Sequence, residues 1–317
     1  MLKQKGNDIL CPIMPKSFLR ELKNRVMVCD GAIGTSIYSR GVYINRCFDE
    51  LNLTNPDLIR GIHREYIKSG VDIIETNSFG ANRFKLMRHG LEKNVFEINK
   101  TGAVIAKEEA RGGIFVAGAI GPLGVGVDPF GKLTEIKAKE AFYEQAEGLL
   151  AGEIDLFILE TFSDLNELHL AYLTVRKLCA EKRVEKPIIA EVTFEDDGNT
   201  IYGISPEKAA SEIESWGVDV MGSNCSIGPQ LMLKSIQKMA SVCSIPLCAM
   251  PNAGLPKIVD GRHIYMSTPE YFATYAKRYI RSGVRIVGGC CGTTVDHIRE
   301  LVENLPDRVG PRPTAPE

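Results

Sequence analysis

Two cysteines stand side by side among glycines in RIVGGCCGTT (285–294), and a third closes the segment DVMGSNC (219–225). Adjacent side chains on a regular strand point to opposite faces, so Cys290 and Cys291 can serve one site only where the chain leaves the pleat. The flanking Gly288, Gly289 and Gly292 permit the torsions and close backbone approach that such a departure needs. Three readings follow from the residues. Cys225, Cys290 and Cys291 with an open fourth position would suit zinc, which takes thiolates at about 2.3 Å. A loop of small residues can instead pack tightly or cradle a phosphate. A vicinal disulfide is a strained ring that leaves Cys225 without a part.

The zinc reading carries a definite chemistry. Three anionic sulfurs leave the complex net negative, a poor generator of hydroxide but a suitable host for a soft incoming ligand. A substrate thiol, with an ordinary pKa of about 8.5, loses its proton beside the cation yet stays nucleophilic toward a soft carbon such as an activated methyl. Asp30 and Glu160 fit a substrate bearing an ammonium group, since acids without a cation are costly at a protected site. The plain alternatives are a turn or cap for Asp30 and a salt bridge for Glu160. Backbone N–H groups around Gly31, Ala32, Ile33 and Gly34 could hold a carboxylate, while Thr76 and Asn224 either orient these groups or satisfy backbone.

The elements that must position these residues are eight short apolar, β-branched runs. They are RVMVCDGA (25–32), VDIIETN (71–77), IFVAGAIG (114–121), DLFILET (155–161), PIIAEVTF (187–194), DVMGSNC (219–225), PLCAMPN (246–252) and RIVGGCCG (285–292). Helical segments separate them. Leu91, Val95, Ile98 and Ile105 make one apolar stripe, and Asn55-Pro56 and Thr268-Pro269 read as cap and first helical residue. Asp164 with Glu167 resembles a capping box, and KSG (68–70), ESWG (214–217) and RSG (281–283) read as helix ends. Continuous apolar strands alternating with helices indicate a parallel sheet buried on both faces, and eight such units suggest a single-domain α/β fold, the closed (β/α)8 TIM barrel. A doubly wound sheet is the rival, but no strand leads into GxGxxG. In a barrel the site lies at the C-terminal strand ends. Asp30, Glu75-Thr76-Asn77, Glu160-Thr161, Asn224-Cys225, Asn252 and Cys290-Cys291 all fall there. No histidine does, with His63, His89, His169 and His297 in helical segments and His263 in a loop; no lysine ends a strand, which argues against a Schiff base.

Bulk properties narrow the partners. The 317 residues are 44% hydrophobic and 25% charged with a formal charge of −2, which gives no reason to expect nucleic acid or a membrane as partner. The N-terminal apolar stretch is too short and interrupted for a secretory signal, so a cytoplasmic protein is expected. Nine cysteines do not make a fully paired framework. Cys29, Cys179, Cys243 and Cys248 read as core, whereas Cys11 and Cys47 carry no signal. The expected division is an N-terminal extension (1–17), the barrel (18–306) and a disordered tail or linker stub (307–317) containing PRPTAPE.

Taken together, DGAIGT (30–35), ETNSFGANR (75–83), LETFSD (159–164), GSNCSIGP (222–229), PNAG (251–254) and GGCCGTT (288–294) resemble the homocysteine S-methyltransferase family. Within it the chain is most similar to the homocysteine-binding barrel of cobalamin-dependent methionine synthases. The resemblance implies a TIM barrel with Zn2+ on Cys225, Cys290 and Cys291, and homocysteine sulfur in the open position. It implies that Asp30 and Glu160 hold the amino group, with the carboxylate near the DGAIGT turn. The activity implied is methyl transfer to homocysteine, forming methionine. The donor is external: methylcobalamin on a corrinoid or folate-binding partner protein, S-methylmethionine, S-adenosylmethionine or a betaine-like compound. The chain is expected to be a stand-alone enzyme or a module of a larger one. The alternative is a homocysteine-binding or corrinoid-protein-docking module without turnover of its own.

Overall fold

The computed structural model describes residues 17–305 apart from 44, 112, 130, 260 and 261; the sixteen-residue start with Cys11 and the 307–317 tail lie outside them. Eight parallel strands form the sheet: β1 (Met27–Val28), β2 (Ile73–Glu75), β3 (Phe115–Ile120), β4 (Leu156–Phe162), β5 (Ile188–Val192), β6 (Val220–Asn224), β7 (Leu247–Met250) and, after an antiparallel hairpin β8 (Lys257–Val259) and β9 (Arg262–Ile264), β10 (Val284–Val287). Their order runs β1-β10-β7-β6-β5-β4-β3-β2. The seam closes where Asp30 N–H donates to Ile73 O (3.1 Å) and Asp72 N–H to Val28 O (2.8 Å), beside a Cys29–Ile73 bridge. The result is the expected (β/α)8 barrel.

Helix α1 (Phe18–Asn24) precedes the barrel, α2 (Ile33–Ser39), α3 (Leu51–Thr54) and α4 (Pro56–Lys68) follow β1, and α5 (Arg83–Met87) and α6 (Val95–Glu109) follow β2. Each later barrel strand is followed by one helix: α7 (Glu135–Ala151), α8 (Leu165–Lys182), α9 (Pro206–Trp216), α10 (Pro229–Ala240), α11 (Pro269–Arg281) and α12 (Val295–Asn304). The glycines at 70, 217 and 283 take positive φ (80° to 94°) where α4, α9 and α11 end, as the sequence indicates.

Strand alternation sorts the side chains into two cores. Val28, Ile74, Val116, Phe157 and Leu159 face the helices. Met27, Cys29, Ile73, Ala117, Ile158, Ile189, Val220, Cys248 and Ile286 fill the barrel interior. Phe18 and Leu22 of α1 join that interior core, with Phe18 edge-on to Phe115 at 5.5 Å. Cys29, Cys179 and Cys248 are therefore core residues as expected, and Cys243 packs half-buried against the outer core.

Three local expectations need correction. Thr268 caps α11 by accepting from Tyr271 N–H, but Asn55 makes no side-chain cap bond before Pro56. Asp164 caps α8 alone; Glu167 turns away to accept Leu123 N–H at 2.7 Å, since that loop amide has no strand partner. His263 lies in β9 and not in a loop.

Candidate metal centre and substrate pocket

Inward parity continues past the apolar layers. In β4 the series Leu156, Ile158 leads to Glu160, in β5 Ile189 leads to Glu191, and in β6 Val220 leads to Asn224. Polar residues thus occupy the C-terminal end of the barrel, where a cavity of about 540 Å3 opens. The three cysteines, Glu160, Glu75, Thr76 and the Gly31–Thr35 turn line it.

Cys225 follows β6 in a left-handed conformation (φ 60°), which turns its side chain out of the pleat. Its N–H donates to Met250 O at 3.1 Å, while Cys290 N–H donates to Pro251 O at 2.9 Å. Both neighbours of β7 are thereby pinned at one height. The Sγ atoms of Cys225, Cys290 and Cys291 all lie within 4.8 Å of one another, with Cys225 and Cys291 at 3.8 Å. Four ligands placed tetrahedrally about 2.3 Å from zinc stand about 3.8 Å apart. The trio fits such an ion in donor chemistry and spacing. Crowding makes the thiols interdependent: hydrogen bonds from Cys225 and Cys290 hold Cys291 low as the thiolate, and Cys290 is pushed up by giving its proton to that cluster.

Glycine is required here for two different reasons. A Cβ on Gly288 would press on Cys29 Cβ at 2.8 Å, because β10 and β1 approach closely. Gly292 has φ 81°, and a Cβ there would overlap the ring of Tyr265. Just after them Thr293 ties the turn together: its hydroxyl donates to Cys290 O (2.7 Å) and accepts from Ala32 N–H (3.1 Å).

The acids gather in the same cavity, with Asn224 Nδ2 lying between Glu160 Oε2 (3.0 Å) and Cys290 Sγ (4.0 Å). Asp30 Oδ2 accepts Glu75 N–H at 3.1 Å, and Cys29 Sγ lies 3.5 Å from Asp30 Oδ1 and 3.8 Å from Glu75 Oε1. Asn224 Nδ2 donates to Glu160 Oε2 (3.0 Å) and Thr161 Oγ1 (2.7 Å), while its Oδ1 accepts Thr161 N–H (2.7 Å). Asn224 therefore orients Glu160. The Thr76 hydroxyl is committed to Ser78 Oγ (2.5 Å) and Ala119 N–H (3.0 Å), so its part in this structure is backbone support. Among the described residues no lysine or arginine forms an ion pair with Asp30, Glu75, Glu160 or Glu191. Burial pushes Asp30 up to about 7, against the amide bond from Glu75. It pushes Glu160 up to about 8, with the Glu191 carboxyl and Cys291 adding to the effect. Glu75 is raised too, by burial and then by Glu160 and Asp30.

Several lining residues escape a reading by strand ends. Glu191, mid-strand in β5 and buried, adds its charge to that of Glu75 and Glu160. Lys85, from α5, reaches the cavity with its ammonium 4.2 Å from the Phe79 ring centroid. His89, in the turn after α5, also lines it, so a histidine does reach the mouth, although not from a strand end. The sequence around 83–91 gives no sign that this segment folds over the rim.

Residues 27–305 match the family model described as homocysteine S-methyltransferase. The methionine synthase of Mycobacterium leprae (strain TN) is 34% identical over 296 residues, covering 89% of this chain and 24% of that protein. That of Mycobacterium tuberculosis (strain ATCC 25618 / H37Rv) is 33% identical over 293 residues, with 88% and 24% coverage. The chain thus spans about a quarter of the length of these relatives. Among solved structures, the metallated form of the homocysteine methyltransferase MmuM from Escherichia coli superposes with a TM-score of 0.74 at 21% identity, covering 89% of this chain and 97% of that one. That likeness supports the barrel fold, while the family match extends over nearly all the described residues and includes the cysteine trio and the acids facing it: the chain belongs to the homocysteine S-methyltransferase family.

Proposed function

We propose that this chain transfers a methyl group from an external donor to the sulfur of homocysteine, giving methionine, with Zn2+ held by Cys225, Cys290 and Cys291. The observation that carries the reading is the approach of three cysteine sulfurs from two strands, in one cavity with acids that form no direct ion pair among the described residues. Bound there, Zn2+ would supply the positive charge that lets a thiol shed its proton near neutral pH. In the transfer the S–H proton is released, the sulfur electron pair forms the new S–C bond, and the donor keeps the electrons of the bond it loses.

The chain's own residues do the positioning. Asp30 and Glu160 reach the substrate ammonium from two strands, and Asn224 fixes the Glu160 carboxyl. The Gly31, Ile33 and Gly34 amides receive the carboxylate, while Ala32 N–H is given to Thr293, which holds the turn. Homocysteine is small against a 540 Å3 cavity, which leaves space above the sulfur for the donor's methyl group. The donor is methylcobalamin carried by a partner or another module, S-methylmethionine or S-adenosylmethionine. A second reading, a homocysteine-binding module that docks a corrinoid protein without turnover, draws on the chain's 24% coverage of its methionine synthase relatives. Methyl transfer from methylcobalamin by this chain alone, followed by stopped flow, would exclude it.

Cys290→Ser tests the metal reading. The variant should lose zinc and activity while keeping the circular dichroism of the barrel. Full activity with no metal bound would refute it.

A further inference from the structure

We propose that Lys85 and Arg88 form an anion subsite at the rim of the cavity, where they take the α-carboxylate of a sulfonium amino acid that donates the methyl group. The inference rests on the methyl-transfer reading and names the donor class within it. Asn82 caps α5 by accepting the Lys85 N–H at 3.1 Å, and Arg88 follows three positions on, at the end of the same short helix. Residues at that spacing share a helix face, and both side chains line the cavity.

Their charged ends converge. Gly124, with φ 75°, has no side chain, and Lys85 Cε and Arg88 Nη2 lie 3.1 Å and 3.7 Å from the point its Cβ would occupy. Arg88 Nη2 donates to Gly124 O at 2.8 Å, and the Lys85 ammonium stands 4.2 Å from the Phe79 ring centroid. Neither cation forms a direct ion pair among the described residues. Asp49, whose charge reaches Lys85 only through space, is held by the Gly80 N–H at 3.0 Å. Like charges at this spacing destabilise a helix, and a breach of local preference that nothing nearby offsets marks a place where a ligand binds.

The chemistry of the two reactants decides which one brings the anion. The carboxylate of homocysteine goes to the Gly31, Ile33 and Gly34 amides at the inner end, so the second anion belongs to the donor. S-Methylmethionine and S-adenosylmethionine carry a carboxylate a few bonds from the sulfonium. In methylcobalamin the phosphodiester lies on the corrin face away from the methyl, and so points away from the attacking sulfur. The subsite therefore fits a sulfonium donor. In that transfer the homocysteine sulfur forms the new S–C bond, and the sulfonium keeps the electron pair of the bond it loses and leaves as a neutral thioether.

The test compares the zinc-loaded wild type with Lys85→Met, which keeps the stem packed on Gly124 and removes the charge. The donors are S-methylmethionine, S-adenosylmethionine and the carboxamide of S-methylmethionine; the lower wild-type KM of the first two identifies the source of the carboxylate. KM for that donor should rise about tenfold in Lys85→Met, as for loss of a charged hydrogen bond at a half-buried site, while KM for homocysteine changes less than about twofold. The carboxamide should cost the wild type a similar factor and cost Lys85→Met almost nothing, since the two changes remove opposite halves of one contact. Arg88→Gln, at a more exposed position, should raise the same KM about threefold. A donor KM that does not move in Lys85→Met, or a rise in KM for homocysteine in its place, overturns the inference. So does a wild type that uses methylcobalamin and neither sulfonium, a result that leaves the methyl-transfer reading standing. Transfer from no donor overturns both.

Discussion

Replacing Glu160 with glutamine removes a charge while keeping the side chain's shape. The carboxyl is buried and pushed up to about 8, so at pH 7 it is mostly protonated before substrate arrives. An ammonium beside it requires the ionised form, and expelling that proton at pH 7 costs about 1.4 kcal/mol. Removing one partner of a buried ion pair costs about 3–5 kcal/mol. The difference, about 1.6–3.6 kcal/mol, corresponds to homocysteine binding weakened about 15- to 400-fold. The sign with pH follows. Wild-type affinity falls as pH drops below about 8, because each homocysteine bound must expel a proton from Glu160 as well as one from its thiol. In Glu160→Gln the first of these protons is missing and the pH dependence is shallower. Titration calorimetry of the zinc-loaded protein at pH 7, in two buffers of different ionisation heat, counts the protons released. Unchanged affinity, or the same proton count in both proteins, would show that Glu160 does not hold the amine. A parallel loss of zinc would place it in the metal shell.

Two further outcomes concern stability. Burial pushes Glu191 up to about 7, so its stabilising contribution is complete below the ordinary range near pH 4.5 and is lost as pH rises through 7. Glu191→Gln should therefore raise stability by up to about 3 kcal/mol at pH 8 and change it little at pH 4.5, read from thermal melts; a lower Tm at pH 8 would mean the charge is compensated. Gly292→Ala should lower the urea midpoint by an amount worth at least about 1–2 kcal/mol, because its left-handed backbone and the Tyr265 ring both exclude a methyl; an unchanged midpoint would show that the ring yields freely.

The barrel was legible because each strand is buried on both faces and so reads as an unbroken apolar run, with Gly70, Gly217 and Gly283 marking where helices stop. The cysteine trio was legible because all three residues lie just past strand ends, which share one rim. What could not be read was vertical position inside the barrel. Glu191 lies mid-run in PIIAEVTF, and only the register that stacks it above Ile189 shows it joining Glu75 and Glu160. Nor does spacing reveal which connections fold back over the mouth. Lys85 and His89 arrive through the short α5 segment, and Tyr265 through the β8–β9 hairpin, each by tertiary packing that leaves no periodic signal. Thr76 illustrates the converse: it lies on the predicted rim, but a neighbouring amide needs its hydroxyl.

The seam of the barrel has a consequence for biosynthesis. β1 is flanked by β10, whose partner residues lie some 260 positions further along, and Gly289 N–H donates to Asp30 O across the same gap. During translation the first strand must wait for the last, and contacts of such separation form slowly. Cys225 emerges long before Cys290 and Cys291, so a nascent chain cannot assemble the three-sulfur cluster until its final strand is available to dock. Barrel closure and assembly of the three-sulfur cluster are thereby drawn into nearly the same moment.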